Sequence, residues 1–294
     1  MAATFGVKPP QQFTGVDTLQ KVWAVVDASG LDSCWVFDHF LPMGRIRSGD
    51  IFEAWTMLAA MAQATRRVRI GTLVTGNVYR HPGVLAKMAV TVDHLSGGRL
   101  DLGLGAGGDQ VADTMLGVPI RLPAERIERL DEACQVLKLL WTESSATFDG
   151  RYYRLHDAAS DPKPVQRPGP PLWLGSSGER RGLRVVARHA DGWINAQFLR
   201  TVAGDPSGED LAELVRLAQV LDRHCADIGR DPATIRRAVQ FPLPDDADDA
   251  VRTAERYVRA GFTDVIFMIV RTGDAALAAA DSAAALEPRL RTVG

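Results

Sequence analysis

The fold is decided by the stretch from Val68 to Asp109, which reads VRIGTLVTGNVYRHPGVLAKMAVTVDHLSGGRLDLGLGAGGD. Its first part, Val68 to Thr75, is an apolar, β-branched run without a polar face. Apolar residues then recur at helical spacing from Val84 to Val92, and Ser96-Gly97-Gly98 predicts the end of that helix. Arg99 to Gly105 is a second apolar run. Two strands buried on both faces and joined by a helix make a βαβ unit of a parallel sheet.

The alternation of strand and helix continues on both sides of this unit, and eight strand–helix pairs can be counted. About 250 residues, plus insertions, is the usual size of a (β/α)8 TIM barrel. We therefore predict an α/β fold, a single (β/α)8 barrel domain over residues 1–294 with insertion loops. The other predicted strands are Thr4 to Val7, Cys34 to Phe37, Leu172 to Leu174, Gly192 to Ala196, Ile235 to Leu243 and Asp264 to Val270. Helices are predicted at Thr14 to Ser29, Phe52 to Thr65, Ala124 to Trp141, Glu179 to His189, Leu211 to Ile228, Ala247 to Ala260 and Ala275 to Leu286.

The composition indicates an ordinary globular protein with neither a nucleic-acid nor a membrane partner. Hydrophobic residues make up 46% and charged residues 24% of the 294, and the formal net charge is −2. No run of about 18 apolar residues exists to span a bilayer. The first residues lack a signal-peptide pattern, and the three cysteines are odd in number and far apart. Together these features predict a reducing, cytoplasmic location.

The glycines from Gly103 to Gly108 satisfy the pattern GxGxxG after a strand, which suggests a dinucleotide-binding turn. No helix is predicted directly after them, and no acidic residue ends a strand about twenty residues further on. We therefore favour another interpretation, in which the strand end is kept small so that a flat ring system can approach the backbone. Ligands of parallel α/β proteins lie at the carboxyl ends of the strands, which fits this interpretation.

Two other strand ends carry candidate binding groups. His39 follows the second strand, where it is placed for proton transfer or ligand contact, or is simply satisfied in a loop. Asp38 could hold the His39 ring or face a ligand, but not both, because adjacent strand residues point in opposite directions. Gly175-Ser176-Ser177-Gly178 offers N–H groups and hydroxyls to a phosphate, or is a plain turn between strand and helix. No cluster of His, Cys and acidic residues has metal-ligand spacing, so no metal site is predicted.

Seven segments carry a resemblance that runs from about Phe5 to Val270: CWVFDHFLP, EAWTMLAAMAQATRRVRIGTLVTGNVYRHP, LSGGRLDLGLGAG, ERIERLDEACQVLKLLWTE, FDGRYYRL, PKPVQRPGPPLWLG and ARHADGW. In these segments the chain resembles the bacterial-luciferase-like flavin and deazaflavin oxidoreductases. It is most similar to their short branch, which uses coenzyme F-420.

The resemblance implies a cofactor at the carboxyl ends of the barrel strands. It also implies a non-proline cis peptide bond at Leu73–Val74, which forms a bulge that supports the cofactor ring. His39 matches the histidine that assists proton transfer in deazaflavin relatives. Relatives usually carry an aromatic or acidic residue where this chain has Gly108, so Asp109 is the nearest acid that could donate a proton. Gly108 would then widen the substrate pocket or mark a weakened catalytic site. The implied ring contacts are Asp38, Thr75, Gly105, Ala106 and Gly107, and the implied phosphate contacts are Gly175, Ser176, Ser177 and Gly178.

Coenzyme F-420 is the expected cofactor, although it shares its ring shape and proximal phosphate with FMN. The chain has no room for the larger insertions of the long FMN monooxygenases, and its likeness is to the short branch. The expected activity is hydride transfer between the deazaflavin and a small organic substrate, carried out by a homodimer. The loops after Phe40, Asp109 and Phe198 would shape the substrate pocket. Two alternatives stay open: a two-component FMN monooxygenase supplied by a separate flavin or deazaflavin reductase, and a non-catalytic flavin-binding barrel.

Overall fold

Parallel strands close into a barrel in the computed structural model, which describes residues 2–195 and 209–293. In chain order the strands are β1 (Thr4–Lys8), β2 (Ser33–Val36), β3 (Arg69–Thr72), β4 (Thr75–Gly76), β5 (Leu100–Gly105), β6 (Ala146–Asp149), β7 (Arg154–Ala158), β8 (Leu172–Gly175), β9 (Gly192–Ile194), β10 (Arg236–Pro242) and β11 (Asp264–Met268). β6 and β7 form a separate antiparallel hairpin. β4 continues β3, so the barrel has eight strands, and it closes where β3 and β4 both pair with β5. The predicted (β/α)8 fold is confirmed.

Within the residues that the structure describes, one α-helix follows each barrel strand, and β5 is followed by two. The helices are α1 (Val16–Ala28), α2 (Ala54–Ala64), α3 (Pro82–Ser96), α4 (Gln110–Met115), α5 (Pro123–Thr142), α6 (Gly182–His189), α7 (Glu209–Asp227), α8 (Ala247–Arg259) and α9 (Ala275–Leu290). The central βαβ unit illustrates how local residues fix the two ends of a helix. Pro82 stands at the start of α3, where a missing N–H costs nothing, and Gly97 ends the helix with a left-handed φ of 66°.

The barrel interior is filled at its middle by a compact apolar layer, separate from the larger core between strands and helices. The two indole rings of this layer, Trp35 and Trp173, meet edge to face with centroids 5.9 Å apart. A packed interior leaves ligand binding to the two ends of the barrel. The layer consists of Trp35, Leu73, Trp173, Ile194, Ala238 and Ile266, with Val74 packed against it.

Two local predictions were wrong. Helix α4 begins directly after the glycine-rich strand end, although no helix was predicted there, so this part of the argument against a dinucleotide-binding turn fails. The turn is nevertheless not of the Rossmann type, because β5 belongs to a closed barrel rather than an open sheet. Helix α6 begins at Gly182, not at Glu179. Ala196 and the loop after Phe198 lie outside the described residues.

Three features of the described structure concern membrane insertion, metal binding and the cysteines. No helix of the described part of the chain is long and apolar enough to cross a membrane. Over residues 2–195 and 209–293, no three His, Cys, Asp or Glu side chains lie together where they could hold a metal ion. Cys34, Cys134 and Cys225 are free and buried.

Candidate active site

His39, which follows β2, and Asp109, which follows β5, lie close together at the carboxyl ends of the strands. Both were predicted to be catalytic residues of one site. His39 Nδ1 lies 3.6 Å from Asp109 Oδ2, and Arg47 forms an ion pair with the same carboxylate oxygen. The other oxygen, Oδ1, accepts the N–H of Ala112 at 3.4 Å and so caps α4. Three segments therefore meet on one carboxylate: the end of β2, the loop after it, and the start of α4.

The charges of this group are set by burial and by Arg47. Burial lowers the pKa of His39, while the nearby Asp109 carboxylate opposes that shift. Burial also works against the ionised form of Asp109, but the hydrogen bonds from Arg47 and Ala112 outweigh it and hold the pKa of Asp109 below its usual value. At neutral pH the arrangement is a neutral imidazole beside an ionised carboxylate. Asp109 is thus better placed to orient and polarise His39 than to donate a proton itself.

Asp38 points to a different set of partners. Its oxygens accept Arg80 Nη1 at 2.6 Å and Nη2 at 3.1 Å, and Oδ2 also accepts the N–H of Gly76 at 3.2 Å. Arg80 is shared with Glu53, 2.5 Å away. Burial raises the pKa of Asp38, and Arg80 works in the opposite direction. Asp38 therefore fastens the end of β2 to β4, and its contact with a cofactor stays a prediction.

The Leu73–Val74 peptide bond is cis, as the resemblance implied. It separates β3 from β4 and turns the Val74 side chain toward the neighbouring strand ends. A Cβ atom added at Gly105 would lie 2.8 Å from Val74 Cγ2, and one at Gly175 would lie 3.2 Å from the same methyl. The space beside these glycines is thus taken by Val74, not left open for a ligand as expected. The glycines form a cradle for the residue that the resemblance places under the ring.

Thr75 lies just beyond this cradle and is fully buried. Its hydroxyl accepts the indole N–H of Trp55 at 3.1 Å, which ties β4 to helix α2. Asn77, two residues on, donates to the Tyr153 hydroxyl at 3.3 Å, while its own side-chain oxygen is buried without a donor. His39 Nδ1 is a second buried atom without a hydrogen bond. A bound ligand could satisfy the Asn77 oxygen, whereas the His39 atom faces the Asp109 carboxylate at 3.6 Å.

Hydrogen bonds to neighbouring residues hold the loop from Gly175 to Gly178 in a conformation that leaves the Ser177 backbone N–H available to a ligand. Ser176 donates its N–H to the Ile194 carbonyl at 3.1 Å and accepts the indole N–H of Trp193 on its own carbonyl at 2.8 Å. Gly178 N–H points back to Ser176 Oγ at 3.4 Å. Within the described ranges, the Ser177 N–H has no protein acceptor. This free N–H, close to the start of α6, suits a phosphate oxygen.

Gly182 explains why α6 begins later than predicted. A Cβ at this position would lie 2.0 Å from Ser176 Oγ, so a larger residue could not pack there without moving the loop. Residues Glu179 to Arg181 form a turn that carries the chain over Ser176 before the helix starts.

The glycine pair after β5 has a backbone conformation that favours glycine, and the Arg126 side chain lies beside it. Gly107 and Gly108 have φ values of 74° and 122°, which favour glycine. Arg126 donates to the Gly107 carbonyl, and a Cβ at Gly108 would lie 1.7 Å from Arg126 Nη1. The space beside Gly108 is therefore filled by a guanidinium. The two expectations for Gly108, a widened pocket and a weakened site, stay predictions.

A family model described as luciferase-like monooxygenase matches residues 3–290. The chain belongs to the luciferase-like monooxygenase family. An uncharacterised protein of Mycobacterium tuberculosis is 34% identical over 238 residues, covering 79% of this chain and 75% of the relative. An F-420-dependent glucose-6-phosphate dehydrogenase of Kineococcus radiotolerans is 33% identical over 226 residues, covering 76% of this chain and 63% of that enzyme.

Two solved structures share the fold of this luciferase-like chain. An F-420-dependent secondary alcohol dehydrogenase in complex with an F-420–acetone adduct superposes with a TM-score of 0.82 at 20% identity, covering 99% of both chains. A coenzyme F-420-dependent tetrahydromethanopterin reductase from Methanopyrus kandleri gives 0.80 at 16% identity, covering 99% of this chain and 100% of the other. These identities are too low to carry more than the fold.

The luciferase-like site also contains residues that were not predicted from the sequence. Lys8 ends β1 and is only 4% exposed; it donates to the Gln240 side chain and lies 5.9 Å from the Phe37 ring centroid. Burial lowers the pKa of Lys8 to about 7. Its position at a strand's carboxyl end was a signal that could have singled it out. Arg47 and Arg126 gave no such signal, because their partners come from distant segments.

Proposed function

We propose that the protein is a coenzyme F-420-dependent oxidoreductase that transfers a hydride between the deazaflavin and a small organic substrate. The observation that carries this proposal is the 33% identity with an F-420-dependent dehydrogenase over three quarters of the chain. The site geometry supports it, because His39 and Asp109 meet at the barrel end where the resemblance expects the chemistry. The substrate is left at the level of a small organic molecule.

The residues present fit such a cofactor. Val74 would back the ring from its cradle, and the free Ser177 N–H, with Gly178, would hold the phosphate. The unpartnered side-chain oxygen of Asn77 gives a ring or substrate a polar contact. When bound, the deazaflavin supplies a carbon that gives or takes a hydride and reacts poorly with oxygen, so the chemistry is the cofactor's.

The protein's own contribution is proton handling and orientation. His39 is neutral near pH 7, because burial lowers its pKa, so it can take a proton from an alcohol or return one to an alkoxide. Asp109 stabilises the imidazolium that forms, and Arg47 keeps the Asp109 carboxylate ionised and in place. The His39 and Arg47 side chains are each 34% exposed, so a bound cofactor and substrate would have to cover them to exclude water from the reaction.

Paired fluorescence titrations of the purified protein with coenzyme F-420 and with FMN test the proposal. Micromolar binding of the deazaflavin with much weaker binding of FMN is the expected result. A preference for FMN would favour the two-component monooxygenase, and turnover would then depend on oxygen and on a separate reductase. Deazaflavin binding without turnover across a broad panel of alcohols, aldehydes and enones would favour the non-catalytic barrel.

We also propose that the protein works as a cytoplasmic homodimer. The dimer is what the family resemblance implies, and three free, buried cysteines suit a reducing compartment. Light scattering of the purified protein would show a dimer mass, and a monomer mass at micromolar concentration would contradict this part of the proposal.

A further inference from the structure

A groove rich in arginine lies between helices α6 and α7. We name it the arginine groove, after Arg180, Arg181, Arg184 and Arg223. Its volume is about 610 Å³. All four arginines are exposed, so the groove is open to a ligand from solvent. Its remaining lining residues are Glu179, Val220 and His224.

The charge of the groove is not balanced by acids. Glu179, the one acid in the lining, is taken by Arg216 from outside the groove at 2.8 Å. Arg181 lies 3.6 Å from Glu128. Over residues 2–195 and 209–293, Arg180, Arg184 and Arg223 form no hydrogen bond or ion pair. Three guanidinium groups are therefore free to meet carboxylates or phosphates.

The groove begins where the candidate phosphate loop ends. Gly178, the last residue of that loop, accepts the N–H of Leu183 on its carbonyl at 2.9 Å, and the turn between them contains Arg180 and Arg181. His224 holds the same turn from α7, since its Nε2 lies 2.7 Å from the Glu179 carbonyl oxygen. A ligand whose phosphate binds at Ser177 would thus place in the groove the part of the molecule that extends beyond the phosphate.

We propose that the arginine groove binds the tail of linked glutamates that coenzyme F-420 carries beyond its phosphate. This proposal rests on the function proposed above and adds a binding subsite to it. The tail is a chain of carboxylates, and arginine recognises carboxylates through paired N–H donors. FMN ends at its phosphate and would leave the groove empty. The groove would therefore favour the deazaflavin by charge, at a distance from the ring.

The test measures dissociation constants by fluorescence for two forms of the cofactor, one with a long glutamate tail and one that keeps the phosphate but has no glutamates. Exposed ion pairs are individually weak, so three of them together should tighten binding of the long-tailed form about tenfold at low salt. This preference should largely vanish at about 0.5 M salt, where charges are screened.

The test variant carries Arg180→Gln, Arg184→Gln and Arg223→Gln. It should bind the long-tailed form about tenfold more weakly and the tail-less form as the parent protein does. The control carries the same change of charge on another face of the barrel and should retain the preference for the tail. The control substitutions are Arg252→Gln, Arg259→Gln and Arg289→Gln, at exposed arginines paired with nearby acids.

Three outcomes separate this subsite from the proposed function. Tighter binding of the long-tailed form that disappears in the test variant alone supports the groove. Equal affinity of the parent protein for both forms overturns the groove but leaves the F-420-dependent function standing. Failure of the parent protein to bind either form overturns the proposed function and the subsite together.

Discussion

Replacing Lys8 with methionine should stabilise the folded protein at acidic and neutral pH and lose that advantage in alkali. Lys8 is fully buried, and within the described ranges its hydrogen-bond partner is the neutral side chain of Gln240. Burial lowers the pKa of Lys8 from 10.5 to about 7 because the charged form loses its water. Methionine has a similar length and no charge to desolvate.

The magnitude follows from the pKa difference. At 1.36 kcal/mol per pKa unit, the drop in the pKa of Lys8 from 10.5 to about 7 corresponds to roughly 5 kcal/mol. This is the free energy by which Lys8 disfavours the folded state at a pH where the side chain is protonated in the unfolded chain. Methionine removes this cost but leaves the Gln240 oxygen without its donor, which costs about 1–3 kcal/mol. The net gain in the free energy of unfolding should be about 2–4 kcal/mol at pH 6.

The sign of the pH dependence is fixed by the same values. The folded pKa is the lower one, so the unfolded chain binds more protons between about pH 7 and 10.5, and the wild type gains stability as pH rises through this window. The Lys8→Met variant lacks that rise. Its advantage should therefore shrink above pH 7 and reverse near pH 10, where neutral Lys8 still donates to Gln240.

Urea unfolding followed by circular dichroism at pH 6, 8 and 10 measures the difference between the two proteins. Lys21→Met is the control, because Lys21 is exposed on α1 and its loss should change stability by less than about 0.5 kcal/mol. A Lys8→Met variant that is less stable than the wild type at pH 6 would refute the reasoning. A stability difference that does not vary with pH would refute it equally.

Three further predictions concern the site itself. His39→Asn should lower turnover about 10²- to 10⁴-fold with cofactor affinity nearly unchanged, since it removes a proton carrier; an unchanged rate would remove His39 from the mechanism. Asp109→Asn should move the acid limb of the pH–rate profile to lower pH, because the carboxylate raises the pKa of His39; a shift to higher pH would contradict the assignment. Gly182→Ala should weaken cofactor binding about tenfold by displacing Ser176. Gly15→Ala, whose Cβ would meet nothing within 4 Å, should bind the cofactor as the parent protein does, and an equal loss in both variants would contradict the packing argument.

Most of the barrel could be predicted from the sequence because its strands are buried on both faces and its helices begin and end at typical residues. The stretch from Leu100 to Gly105 reads as a strand in isolation and pairs as one. Helix α4 escaped prediction because six residues are too few to show a helical period. The start of α6 escaped because it depends on contact between Gly182 and Ser176, which no spacing reveals.

The site residues also divide into those that the sequence could predict and those that it could not. His39 and Asp109 could be proposed because each follows a strand, and strand ends of a barrel converge. The choice of Arg47 as the partner of Asp109, and of Arg80 as the partner of Asp38, depends on how distant segments fold over the mouth. The contact between Gly108 and Arg126 was not predictable for the same reason, since Arg126 lies on α5 rather than on the helix that follows Gly108.

Asp109 both caps α4 and contacts His39, which links the start of this helix to proton transfer during turnover. One oxygen holds the first turn of α4 and the other faces Arg47 and His39, so a six-residue helix and a proton carrier share one anchor. A helix this short has little cooperativity of its own. Each change in the charge of His39 would therefore alter the electrostatic environment of the carboxylate that caps α4, so proton transfer and the stability of this helix would be coupled.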